Sequence, residues 1–128
     1  MTSYFDNAAT TRLCDAAAAA FYSASQIYAN PSSLHSAGLE AEKLVASSRK
    51  TILKTIGAGN KDSLVFTGCG TESNALALFG TAYAKPANGG GVMIISDSEH
   101  PSVYSAAEEL GRRGFRVKTV PTANGRYI

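Results

Sequence analysis

The stretch Phe66-Thr67-Gly68-Cys69-Gly70-Thr71-Glu72-Ser73-Asn74-Ala75-Leu76 sets the tightest limit on how this chain folds, because it passes from a strand-like run through a glycine-rich turn into a helix. A turn of that kind makes an anion site. Gly68 and Gly70 can take positive φ and let a ligand approach the backbone, while the first N–H groups of the helix have no intrahelical acceptor. The helix macrodipole adds about half a positive charge at that end, and the Thr71 and Ser73 hydroxyls are candidate donors to phosphate oxygens. The same segment also fits an ordinary turn whose threonine only caps its helix, so the rest of the chain has to decide.

Periodicity supplies the context. Asp15 is placed to cap a helix carrying Ala17, Ala20, Phe21, Ala24 and Tyr28 on one face, followed by a loop from Ala29 to Ser33. From Ser36 to Ile56, Leu44, Val45, Ser48, Ile52, Thr55 and Ile56 recur at helical spacing, and Gly57 stops the run. A strand is expected at Leu64 to Thr67, a helix from Thr71 to Ala84, a loop holding Pro86 and Gly89 to Gly91, and a strand at Val92 to Ile95. Pro101 can open a helix showing Val103, Ala106, Ala107 and Leu110, and Gly114 ends it before a last strand at Phe115 to Val120. Alternating strands and helices imply an α/β fold, a mixed and mostly parallel sheet with flanking helices. We expect one domain over 1–128, with a helical segment over 1–57 and a partial cofactor-binding α/β unit over 58–128.

Composition narrows the function. The 128 residues carry 12 Lys and Arg against 10 Asp and Glu, scattered along the chain, so no basic stripe marks a nucleic-acid partner. The first dozen residues lack the basic start and long apolar core of a signal peptide, and Ala16 to Ala20 is too short to span a bilayer. A cytoplasmic protein with no membrane partner is expected. Cys14 and Cys69 read as free thiols, and neither has metal-ligand spacing, so no metal is expected.

Four separated motifs then carry a resemblance: Tyr4-Phe5-Asp6-Asn7-Ala8-Ala9-Thr10-Thr11, Asn30-Pro31-Ser32-Ser33-Leu34-His35-Ser36-Ala37-Gly38, Phe66 to Asn74, and Ser98-Glu99-His100-Pro101-Ser102. In this order and spacing the chain resembles the N-terminal part of a cysteine desulfurase, in the class V aminotransferase group of fold-type I pyridoxal phosphate enzymes. The likeness runs from Tyr4 to about Asn124-Gly125-Arg126. It implies part of an aminotransferase-type large domain with a mixed seven-stranded sheet, pyridoxal phosphate as cofactor and a homodimer. It also implies cysteine or a related amino acid as substrate, converted to alanine and an enzyme persulfide that supplies sulfur for iron–sulfur clusters.

Carried over position by position, the resemblance gives Gly70 and Thr71 the cofactor phosphate, and His100 a catalytic and cofactor-stacking place over the pyridine ring. An imidazole suits that place, being flat and titrating near neutral pH. Asn7 and Ala8 resemble positions on the substrate side of the pocket, although a capping loop would look the same, and the loop with His35 has an equally structural reading. Two departures stand out. Gly68-Cys69-Gly70 places a thiol in the anion loop, beside a helix start where thiols become reactive, yet Cys69 and Cys14 both fall outside the position of the family's persulfide cysteine. The six lysines, Lys43, Lys50, Lys54, Lys61, Lys85 and Lys118, also lack the Ser-x-His-Lys type of context that the family uses for its Schiff-base lysine.

The chain is therefore expected to be a truncated member of the family, inactive by itself. Another class V aminotransferase-type enzyme and a non-catalytic interaction module remain alternatives. A third is a dinucleotide-binding unit with Asp97 on the ribose, although the third glycine of that fingerprint is missing.

Overall fold

The computed structural model describes residues 3–84 and 91–122, in two compact units, Met1–Leu64 and Val65–Ile128. The loop residues Lys85, Pro86, Gly89 and Gly90 and the terminal Asn124, Gly125 and Arg126 lie outside the described residues.

The first unit contains two helices, α1 (Asp15–Ser25) and α2 (Ser36–Thr55). Asp15 is the first residue of α1, not its cap; Cys14 stands at the cap with no side-chain hydrogen bond. The face expected to be apolar on α1 is not covered, since none of its residues is buried and Phe21 is exposed. In α2 the stripe closest to the core is Gly38, Ala41, Leu44, Val45 and Ser48, with Ile52 and Ile56 outside it. His35 opens α2 by accepting the Gly38 N–H on Nδ1 at 3.2 Å. Gly57 closes it at φ +68, where a side chain would press on its own carbonyl. Gly38 is buried for a different reason: a Cβ there would overlap the carbonyl and Cβ of Ser33, so the loop packs directly against bare helix backbone.

The second unit runs α3 (Gly70–Ala84), β1 (Val92–Ser96), α4 (Pro101–Arg112) and β2 (Arg116–Val120). β1 and β2 pair in parallel, with Val92 opposite Arg116 and Ser96 opposite Val120, and α4 makes the crossover. α4 packs on both α3 and β2, and Ile95, Ala106, Ala107 and Leu110 form its core. On β1, Met93 and Ile95 are the more buried residues, whereas Val92 and Ile94 alternate outward and stay exposed. Gly114, at φ +91, turns the chain from α4 into β2.

This is an α/β unit with a parallel sheet, as expected, but among the described residues the sheet has two strands. The expected strand at Leu64 to Thr67 is absent. A strand exists through its ladder partner, and no strand of the sheet pairs with this stretch; the Leu64 carbonyl accepts from Arg49 Nε at 3.0 Å instead.

Candidate anion and histidine site at the start of helix α3

The loop before α3 is held by its own side chains. Cys69 gives its carbonyl to the Ser73 N–H at 3.1 Å, the first bond of the helix ladder. Thr67 Oγ1 and Ser73 Oγ lie 2.6 Å apart, and both hydroxyls also reach the Cys69 carbonyl, at 3.2 and 3.3 Å. Glu72 folds back so that its Oε2 accepts the Gly68 N–H at 2.7 Å, one residue before the helix cap. These bonds fix the loop without left-handed backbone: Gly57 and Gly114 have positive φ, while Gly68 and Gly70 do not. The two loop glycines thus do not use the positive φ open to them, because side-chain hydrogen bonds make the turn.

Gly70 and Thr71 form the first turn of this 15-residue helix, and no hydrogen bond among the described residues occupies their N–H groups. A Cβ added to Gly70 would meet nothing within 4 Å, so open space stands over those donors. Thr71 is exposed; the Ser73 hydroxyl, expected as a second donor, is engaged inside the loop. The donor set and the space suit a phosphate group, and the Glu72 carboxylate at Gly68 is the one feature opposing it.

His100 is the cap of α4, with Pro101 as the first helical residue. Its Nδ1 accepts the Ser102 N–H at 3.2 Å and lies 2.8 Å from Ser102 Oγ. Ser102 is buried, and its oxygen also receives the amide of Asn74 at 2.9 Å. Asn74 sits on α3, one turn beyond Thr71, so the residues expected to hold phosphate and the expected ring-facing histidine are joined by a single side-chain bridge. Sequence reasoning missed Asn74 and Ser102 as site residues. They end the third and fourth motifs, and their hydrogen-bonding chemistry was the available signal.

Asn7 and Ala8 belong to the first unit, where they are exposed in a tight turn. The Asp6 carbonyl closes that turn by accepting the Ala9 N–H at 3.1 Å, and Thr11 Oγ1 donates to the Asn7 carbonyl at 3.1 Å. Asp97 accepts the Thr122 N–H at 2.9 Å and gives its own N–H to the Val120 carbonyl at 3.0 Å. It staples the end of the parallel pair. The dinucleotide reading therefore loses its ribose carboxylate, along with the strand that should precede its glycines.

At the other end of the α3/α4 contact, Arg113 lies over the rings of Phe79 and Tyr83, 5.8 and 6.0 Å from their centroids, and donates to the Tyr83 hydroxyl at 3.0 Å. Glu109 accepts from Arg113 at 2.6 Å and from Arg112 at 2.9 Å. Those two hydrogen bonds, Arg113 first, hold its carboxyl below the usual carboxylate range. Among the described residues no cluster of His, Cys, Asp and Glu could hold a metal ion, and no helix is long and apolar enough to cross a membrane.

A parallel strand–helix–strand unit with a further helix packed on its crossover is an α/β architecture. The chain belongs to the aminotransferase class V family, whose model matches residues 3–128. It is 43% identical over 119 residues to a NifS/IcsS protein homolog of Lactobacillus delbrueckii subsp. bulgaricus, covering 92% of this chain and 30% of that protein. It is 35% identical over 121 residues to the cysteine desulfurase NifS of Azotobacter vinelandii, covering 92% of this chain and 29% of that one. Among solved structures, a NifS-like protein superposes with a TM-score of 0.78 at 34% identity, over 95% of this chain and 33% of the other. An SspA structure in complex with cysteine gives a TM-score of 0.76 at 32% identity, over 93% and 34%. The chain thus spans less than a third of the length of these two curated relatives.

Proposed function

We propose that this chain supplies the phosphate-binding and ring-facing part of a pyridoxal phosphate site in a cysteine desulfurase. The observation that carries the reading is the start of α3, where the Gly70 and Thr71 N–H groups lie open under free space while Asn74 ties the same helix to His100. Gly70 and Thr71 bind the phosphate through backbone N–H and the Thr71 hydroxyl, and the helix dipole favours its charge. His100 would face the cofactor ring, its imidazole held by Ser102. When bound, pyridoxal phosphate serves as an electron sink for the substrate carbon that loses its bond. Asn7 and Ala8 are assigned to the substrate side. Cysteine as substrate is supported by the relative named cysteine desulfurase and by the neighbour solved with cysteine.

We place the protein in the cytoplasm as a homo-oligomer. The exposed Val92 and Ile94 on β1 support the latter, since parallel sheets are ordinarily covered on both faces. Light scattering over a dilution series should show at least a dimer, and a monomer at every concentration would refute this part.

The cofactor reading is tested by incubating the chain with pyridoxal phosphate or a nicotinamide dinucleotide and measuring retained ligand and its absorbance. Pyridoxal phosphate should be retained, with Gly70→Ala weakening retention because its Cβ fills the space above the donors and touches no protein atom. Retention of the dinucleotide instead, or indifference to Gly70→Ala, would sink the proposal.

A further inference from the structure

The chain has two histidines, and both cap a helix through Nδ1, but only His100 is backed by further side chains. His35 Nδ1 accepts one backbone N–H, that of Gly38. His100 Nδ1 faces the Ser102 N–H at 3.2 Å and the Ser102 hydroxyl at 2.8 Å. The direction of the hydroxyl bond follows from the backbone N–H that Nδ1 also accepts, together with the hydroxyl's other partner. A serine hydroxyl has one proton to give. The Asn74 amide nitrogen, 2.9 Å away, is a donor only, so Ser102 Oγ accepts there and keeps its one proton for His100 Nδ1, which the Ser102 backbone N–H already marks as an acceptor. An Nδ1 that receives two donors carries no proton in the neutral ring, which leaves the proton on Nε2.

We infer that Asn74 and Ser102 are positioning residues that lock neutral His100 as the Nε2–H tautomer. This rests on the reading of His100 as the residue facing the cofactor ring. The bridge links the last residue of the glycine-loop motif to the last residue of the histidine motif, and so explains in one contact why both motifs extend as far as they do. Its chemical consequence is that the nitrogen left free for a ligand is a hydrogen-bond donor. Neutral His100 is thus set to give a hydrogen bond through Nε2.

The test is long-range proton–nitrogen correlation NMR on the uniformly ¹⁵N-labelled chain without cofactor, at a pH where imidazole is neutral, with His35 as the internal control. In the unmodified chain His100 should carry its proton on Nε2. Asn74→Asp reverses the bridge: a carboxylate takes the Ser102 proton, Ser102 Oγ becomes an acceptor for Nδ1–H, and the tautomer ratio at His100 should move roughly three- to tenfold toward Nδ1–H. Adding Ser102→Ala should abolish the effect of Asn74→Asp, which a general loosening of the fold would not do. His35 should be unchanged throughout. A proton on Nδ1 in the unmodified chain overturns the inference whatever the variants do, and so does an Asn74→Asp ratio equal to the starting one. Should Asn74→Asp unfold the unit, Ser102→Ala alone removes the hydroxyl donor to Nδ1 and should move the ratio toward Nδ1–H, and an unchanged ratio there overturns the inference. Because no cofactor is present, a failure here leaves the pyridoxal phosphate reading standing, and loss of cofactor retention leaves this result intact.

Discussion

The Glu72 carboxylate lies 2.7 Å from the Gly68 N–H, one loop residue away from the donors of Gly70 and Thr71. The anion loop therefore already holds an anion of its own, which caps the turn and opposes a second negative group. Replacing Glu72 by Gln keeps a hydrogen-bond acceptor and removes the charge. Phosphate affinity, followed by calorimetry or phosphorus NMR, should rise about two- to fivefold, the size of a helix-terminus charge effect of about 0.3–1 kcal/mol. Unchanged or weaker binding would show that the carboxylate does not compete.

Cys69 and Cys14 are both exposed free thiols at helix starts, Cys14 before α1 and Cys69 before α3, and only Cys69 lies in the glycine loop. Iodoacetamide should alkylate Cys69 faster than Cys14, and added phosphate should slow only Cys69. Equal rates with no phosphate effect would mean that the loop does not gather anions.

Glu109 yields a pH prediction. Its carboxyl titrates lower in the folded chain than in the unfolded one, so the stabilisation is present above the ordinary carboxylate range and fades as pH falls through the depressed folded value. Glu109→Gln should lower the urea midpoint at neutral pH, and the two proteins should converge in acid. Because the arginine partners are exposed, the difference should be small and should shrink in high salt. A gap that persists in acid would point to packing instead of charge.

Two glycine substitutions separate two kinds of constraint. Gly38→Ala drives a methyl group into Ser33 and should cost about 1–3 kcal/mol, with helix loss in circular dichroism. Gly57→Ala meets no neighbour, so only its left-handed backbone resists, at roughly 1–2 kcal/mol. If the Gly38 variant is the milder one, the Ser33 contact is not the constraint.

With pyridoxal phosphate added, the 128-residue chain should release no sulfide from cysteine and form no borohydride-stable adduct at one defined lysine, since none of its six lysines has the family's lysine context. A single stoichiometric adduct accompanied by sulfide would refute this.

Much of this was legible in the sequence because it is local. Gly57, Gly114 and Pro101 mark helix boundaries through backbone chemistry that needs no neighbours, and the Ala106, Ala107 and Leu110 stripe is a periodicity carried by one helix. What failed depended on partners. Leu64 to Thr67 has the residues of a strand, yet a strand requires a ladder; Phe21 has the spacing of a core residue, yet burial requires something to bury it. The glycine loop misled differently: its glycines suggested unusual dihedrals, whereas Thr67, Glu72 and Ser73 shape the turn by hydrogen bonds. Asn74 and Ser102 stand 28 residues apart, and no periodicity links positions on different helices.

The parallel pairing of β1 with β2 brings together residues roughly two dozen positions apart, with one helix between them. Such a loop closes quickly compared with one that must wait for distant sequence. During synthesis this strand, helix and strand can therefore condense as soon as Val120 is free of the ribosome. The outward row of Val92 and Ile94 is left open to water and to other chains. An apolar row left open beside a rapidly closed strand pair is the kind of surface on which folding chains associate.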